Sequence, residues 1–150
     1  EMLDCLVGSE MCIRDSTTTV PKIGEQVVLS SFPYQGKLNR SSLTAGTVRE
    51  LEDLRGDKRK FRISIPVNPG DSGGGLFDLS GNFIGLHLAE PSTINSDAQI
   101  VLKAREITKF LGEVGLSELK RSYRAEPLDL RQIDSVANRV TALISCWEQY

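Results

Sequence analysis

The sequence predicts an all-β fold, an antiparallel six-stranded barrel followed by C-terminal helices. Two patterns carry this expectation. Six short apolar or β-branched runs lie between Gln26 and Leu102, each bounded by glycine, proline or polar turn signals. From Ile107 onward the apolar spacing changes to threes and fours, the period of a helix. Six short antiparallel strands leave unpaired edges unless the sheet closes on itself, which is why a small barrel is the natural architecture. A third stretch, VNPGDSGGGLFD from Val67 to Asp78, surrounds a single serine, Ser72, with glycines and bears on function.

The strands follow in order. Gln26 to Ser31, QVVLSS, is apolar and β-branched and is opened by Gly24. Phe32 to Gly36 reads as a loop. Leu43 to Leu51 alternates Leu43, Ala45 and Thr47 with small or polar partners, and Gly46 suggests a bulge. Asp53 to Asp57 turns the chain, and Lys60 to Ile65 places Phe61, Ile63 and Ile65 on one face. After the glycine loop come Gly74 to Phe77, a polar turn at Ser80-Gly81-Asn82, then Phe83 to Ala89 and Ala98 to Leu102. Ile107, Phe110, Leu111 and Val114 form a helical stripe that Gly112 and Gly115 stop. Pro127 breaks the tail. From Asp129, the residues Ile133, Val136, Ala137, Val140, Ile144 and Trp147 make a second stripe, which packs on this barrel or on another domain, with a partner site as the alternative.

The glycine-rich stretch carries the chemistry. Pro69-Gly70 suits the two central positions of a tight turn. Asp71 and Ser72 are then held at the tip, and Gly73, Gly74 and Gly75 lead the chain away without side chains. A hydroxyl displayed among bare amides suits a nucleophile beside an oxyanion hole, where one preorganised donor lowers the barrier by roughly 3–4 kcal/mol. A phosphate cradle is the rival, but a Walker loop needs a Lys after the glycines and none follows here.

PGDSGGGLFDLSGNFIGLHLA resembles the nucleophile segment of chymotrypsin-fold (trypsin-like) serine proteases, with the bacterial HtrA-type branch most similar. The resemblance covers about residues 24–115, and it implies the second barrel of such a protease, with the nucleophile loop between its third and fourth strands. It places Ser72 as the nucleophile and the amides of Gly70 and Ser72 in the oxyanion hole. It also implies that Pro66, Val67 and Asn68 form one wall of the substrate site and that Leu88, Ala89 and Glu90 pair with an extended polypeptide substrate. No acid falls at the base of the primary pocket, so a small apolar side chain before the cut is expected. Glu90 either biases this choice by charge or faces water. Gly75 stands where the family usually has Pro, which either loosens the loop or marks relaxed selection in an inactive relative. Asp71 either pairs with a buried positive group or is a turn acid.

The family's general base His and its orienting Asp come from the first barrel, earlier in the chain. The one histidine here is His87, fifteen residues after Ser72 and in mid-strand, where it faces the core or the domain groove. The fragment by itself is therefore expected to be inactive. The expected function is that of a serine endopeptidase segment working through an acyl-enzyme, with no metal or cofactor needed. The alternative is an inactive, protease-like binding or scaffolding module. By analogy alone, the localisation is extracytoplasmic, in the periplasm or secreted.

Composition sets further bounds. The formal charge of −2 gives no electrostatic case for nucleic acid, and no apolar run is long enough to span a membrane. Lys58, Arg59, Lys60 and Arg62 are offset by Glu50, Glu52, Asp53 and Asp57, as at a solvated hairpin end. Cys5 to Ser16 resembles the translated read-through of a sequencing-library adapter, so residues 1–16 are set aside as a non-native scar. Without Arg14, Glu1, Asp4, Glu10 and Asp15, 17 basic and 16 acidic residues remain. Of the three cysteines, Cys5 and Cys12 fall in that stretch, and Cys146 alone cannot form an internal disulfide. Its expected role is packing beside Trp147. The remaining organisation is 17–115 for the barrel with its closing helix and 116–150 for a helical extension.

Overall fold

A computed structural model describes residues 21–36, 40–88, 99–116 and 123–144 of the 150-residue chain. Its strands are β1 (Gln26–Ser31), β2 (Ser42–Glu50), β3 (Lys60–Ile63), β4 (Gly75–Asp78), β5 (Phe83–Leu88) and β6 (Gln99–Lys103). They close into one antiparallel barrel in the order β1-β2-β3-β6-β5-β4. Helices α1 (Ala104–Glu113) and α2 (Leu130–Val140) follow. The sequence alternation explains the inside: Val27, Leu29, Val48, Phe61, Ile63, Ile65, Leu76, Ile84 and Val101 form a single core cluster. The turns match their residues as well. Gly56 and Gly81 adopt φ of +79° and +78°, which side-chain-bearing residues avoid. The barrel with helices after it is thus the fold that the sequence predicts.

Three local expectations change. Gly46 does not mark a bulge; the register of β2 on β3 shifts between Val48 and Glu50. Gly46 is needed for close approach, because a Cβ there would sit 2.4 Å from both the Ser64 carbonyl oxygen and Ile65 Cγ1. The stripe on α1 splits. Ala104 is buried and Ile107 and Leu111 are half-buried, while Phe110 and Val114 point to solvent. The run from Ala104 through Ile107 to Leu111 thus forms the inner face. Finally, α2 stops at Val140; Thr141 is extended (φ −99°, ψ 122°) and Ile144 is exposed. Trp147 and Cys146 lie outside the described residues.

Helix α2 begins where its sequence says. Asp129 caps it and accepts from the Gln132 amide at 2.8 Å, while the Gln132 side chain accepts from the Asp129 amide at 2.9 Å. It buries Ile133 and Ala137, one turn apart, and lies against β1 of its own barrel. Ser30 Oγ meets Thr141 Oγ1 at 2.9 Å, and Ser41 Oγ donates to Asn138 Oδ1 at 2.6 Å. This explains why β1 is buried on both faces: Val27 and Leu29 point inward, while Val28 and Ser30 lie on the outer side. The chain leading into α2 is strapped to the β4–β5 turn. Fully buried Asn82 donates from Nδ2 to the Arg124 carbonyl at 2.8 Å and accepts from the Arg124 amide at 2.9 Å. The Leu128 amide donates to the Leu79 carbonyl at 2.8 Å.

The basic hairpin end is paired as its composition suggests. Arg59 Nη2 lies 2.8 Å from Asp57 Oδ2, and Lys60 Nζ lies 3.4 Å from Asp53 Oδ2. The Arg59 side-chain hydrogen bonds hold the Asp57 carboxyl down to about 2. Lys103, at the end of β6, donates from Nζ to the carbonyls of Leu51 and Lys58 at 2.8 and 2.6 Å and so fastens this hairpin. Burial pulls its ammonium below the usual lysine range.

Candidate active site

Two consecutive tight turns build the loop between β3 and β4. The Asp71 amide donates to the Asn68 carbonyl at 3.1 Å with Pro69-Gly70 at the centre. Gly70 has φ +103°, as the third residue of such a turn requires. The Gly74 amide then donates to the Asp71 carbonyl at 3.0 Å with Ser72-Gly73 at the centre, and Gly73 has φ +80°. Ser72 therefore sits at the corner of the second turn and is exposed, outside any helix. Gly70 is also exposed, and among the described residues no hydrogen bond engages its amide. A nucleophile and a polarising donor need this kind of access.

The loop is fastened from beneath through Asp71, which is 3% exposed. Ser31 Oγ donates to Asp71 Oδ1 at 2.7 Å, and the Asn68 amide donates to Asp71 Oδ2 at 2.5 Å. Of the two expectations for Asp71, neither holds in full. Its partners are a neutral hydroxyl and an amide rather than a buried cation, and it is more than a turn acid because it ties the loop to β1. The Asp71 main-chain carbonyl is held as well, by the Gly74 amide and by His87 Nδ1 at 3.0 Å.

His87 lies on β5, is 2% exposed, and takes the core position expected of it rather than that of a general base. Its main chain pairs with the loop: the Gly73 amide donates to the His87 carbonyl at 2.8 Å, and the His87 amide donates to the Gly74 carbonyl at 2.9 Å. Its Nε2 lies 3.4 Å from Gln99 Oε1 of β6.

The glycines have distinct reasons. At Gly74 a Cβ would lie 2.9 Å from the Asp71 and Ser30 carbonyl oxygens and from Ser31 Cβ, so only glycine fits between loop and strand. At Gly75 a Cβ would meet the Phe77 ring at 3.1 Å, and that ring packs edge-on against Phe83 with centroids 5.9 Å apart. Gly75 thus makes room for an aromatic pair.

Of the other candidate residues, Pro66 and Asn68 are exposed before the loop, Val67 packs partly on the core, and Leu88 is half-buried at the end of β5. Ala89 and Glu90 lie outside the described residues. Sequence reasoning passed over Ser31 and Gln99. The signal for Ser31 was present: QVVLSS ends an apolar strand on two hydroxyls that the barrel buries. Among the described residues no group of His, Cys, Asp or Glu is placed to hold a metal ion, and no helix is long and apolar enough to cross a membrane.

Comparison with known proteins agrees with this geometry. A family model described as "Trypsin-like peptidase domain" matches residues 11–86. An uncharacterised protein of Sinorhizobium fredii (strain NBRC 101917 / NGR234), y4bJ, is 30% identical over 150 residues, an alignment covering 93% of this chain and 24% of that protein. Two crystal structures of Rv3671c are similar. The inactive form of a serine-to-alanine mutant from M. tuberculosis H37Rv has a TM-score of 0.54 and 28% identity, covering 69% of this chain and 54% of the other. The structure named as the inactive form of the Rv3671c protease has a TM-score of 0.53 and 28% identity, with coverage of 67% and 53%. The chain therefore spans about a quarter of the curated relative and about half of the solved structures.

Proposed function

This chain belongs to the trypsin-like peptidase family, and on that premise we propose that it is the nucleophile-bearing barrel of a serine endopeptidase. The observation that carries the reading is the double turn that leaves Ser72 exposed at its corner, two residues after an exposed Gly70. Ser72 Oγ attacks the scissile carbonyl carbon, and its proton passes to an imidazole base. The Gly70 and Ser72 N–H groups receive the negative charge that develops on the carbonyl oxygen. Collapse expels the amine, which takes the proton, and water then hydrolyses the Ser72 ester.

The base comes from outside residues 17–150, since the single histidine, His87, is turned into the core. The substrate is a polypeptide in extended conformation. It runs beside Leu88, Ala89 and Glu90, with Pro66 and Asn68 on the opposite wall. In this reading residues 17–115 are the barrel with its closing helix and residues 116–150 are an extension. The alternative is an inactive, protease-like binding or scaffolding module, and reactivity of Ser72 in the complete protein separates the two.

Fluorophosphonate labelling of the complete protein tests the proposal. Labelling that Ser72→Ala abolishes is the expected result, while a well-folded complete protein that stays unreactive would falsify it. The 150-residue chain alone is expected to cleave peptides barely or not at all, because its single histidine, His87, is turned into the core.

A further inference from the structure

We infer that His87 is a positioning residue that aims the Ser72 amide by gripping the carbonyl of the same peptide unit. The inference rests on the reading of Ser72 as a nucleophile. A trans peptide is planar, and its C=O and N–H point in opposite directions. The chain contains no cis peptide among the described residues, so the Asp71 C=O and the Ser72 N–H move as one body. Whatever fixes the carbonyl fixes the direction of the amide, and hydrogen bonds weaken steeply as that direction strays.

The Asp71 carbonyl has two donors, the Gly74 amide at 3.0 Å and His87 Nδ1 at 3.0 Å. They reach it by different routes. Gly74 donates from within the turn and is itself tied to the strands through its own carbonyl, which accepts from the His87 amide at 2.9 Å. The Gly74 bond thus closes the turn, while the imidazole joins the carbonyl directly to β5. His87 sits on β5 with strands on both sides, opposite Val101 of β6 and bonded through its main chain to Gly73 and Gly74. The imidazole is therefore the direct link from the carbonyl to the barrel. A carbonyl can only accept, so the contact requires the proton on Nδ1. Nε2 of the neutral ring then accepts, and the Gln99 side-chain amide 3.4 Å away turns its NH2 rather than its oxygen toward the ring. Two donors on one carbonyl also polarise the peptide and make its N–H a better donor.

A purely packing role for His87 predicts the opposite ranking of substitutions. Leucine fills the buried space but cannot donate. Asparagine leaves a small void, yet it places an N–H on the atom that corresponds to Nδ1. In the complete protein, His87→Leu is expected to slow fluorophosphonate labelling of Ser72 by about tenfold or more, short of the loss of a whole oxyanion donor. His87→Asn stays within about threefold of the parent. Where peptide turnover is measured, kcat falls in His87→Leu and KM holds.

A second readout needs no activity. In the 150-residue chain, NMR should find His87 protonated on Nδ1. The Ser72 amide nitrogen should move upfield in His87→Leu and hold in His87→Asn. A ring protonated only on Nε2, equal slowing in both variants, or a leucine variant better than asparagine overturns the inference. If the parent protein is not labelled, the hydrolase reading falls alone, and the tautomer with the Ser72 resonance still decides the role of His87.

Discussion

Ser31 Oγ donates to Asp71 Oδ1 at 2.7 Å, joining residues 40 positions apart in a buried contact. It links the end of a strand that would otherwise be only wall to the residue before Ser72. Ser31→Ala removes one of two donors to a buried carboxylate, a bond class that contributes about 1.5–3 kcal/mol. The expected result is a lower denaturant midpoint at unchanged slope. A midpoint equal to that of the parent would mean that Asp71 finds another partner.

Gly74→Ala and Gly75→Ala should separate. The first forces a Cβ against two carbonyl oxygens and Ser31 Cβ, each at 2.9 Å. Overpacking of this kind costs about 1–3 kcal/mol because backbone cannot yield cheaply. The second meets only the edge of the Phe77 ring at 3.1 Å. Thermal melts of the two variants test the order, and an equal or larger drop for Gly75→Ala refutes it.

Asn82→Ala should release the strap ahead of α2. It removes both bonds to the Arg124 main chain and leaves that half-buried amide unpaired, at about 1–3 kcal/mol. Hydrogen exchange at Arg124 and Leu128 should speed up, while β1 to β6 stay protected. Unchanged exchange at Arg124 would show that the strap is held elsewhere.

The acid limb of stability should carry the Asp57–Arg59 pair. Asp57 is held at about 2 in the fold, chiefly by Arg59 side-chain hydrogen bonds. A depressed carboxyl contributes stability above the unfolded value of about 3.9 and loses it as pH falls toward the folded value. In Arg59→Ala, the Asp57 carboxyl followed by carbon NMR should titrate closer to an ordinary carboxylate. A midpoint still near 2 would acquit Arg59.

The barrel was legible because period-two alternation states which side chains face inward, as Phe61, Ile63 and Ile65 do. The double turn was half legible: Pro69-Gly70 announces its own geometry, whereas the bond from Gly74 to Asp71 needs the chain to close. Gly46 misled because a bulge and a close approach both call for glycine, and only the neighbouring Ser64 and Ile65 distinguish them. Ser31, Gln99 and the imidazole contact were hidden for a shared reason. Each acts across strands that are distant in sequence, so no local pattern marks it. The length of α2 was overread, since Thr141 leaves the helix to meet Ser30, a tertiary event.

The outer side of β1 has a practical consequence. Val28 and Phe77 are cross-strand partners, alternate with core residues, and are almost fully buried outside the barrel interior. With α2 laid along that side, the barrel has a dry seam that its own six strands do not close. A gene trimmed to end at Leu116 would wet this seam and yield sticky, self-associating material. Carried through Thr141, it should give a monodisperse product.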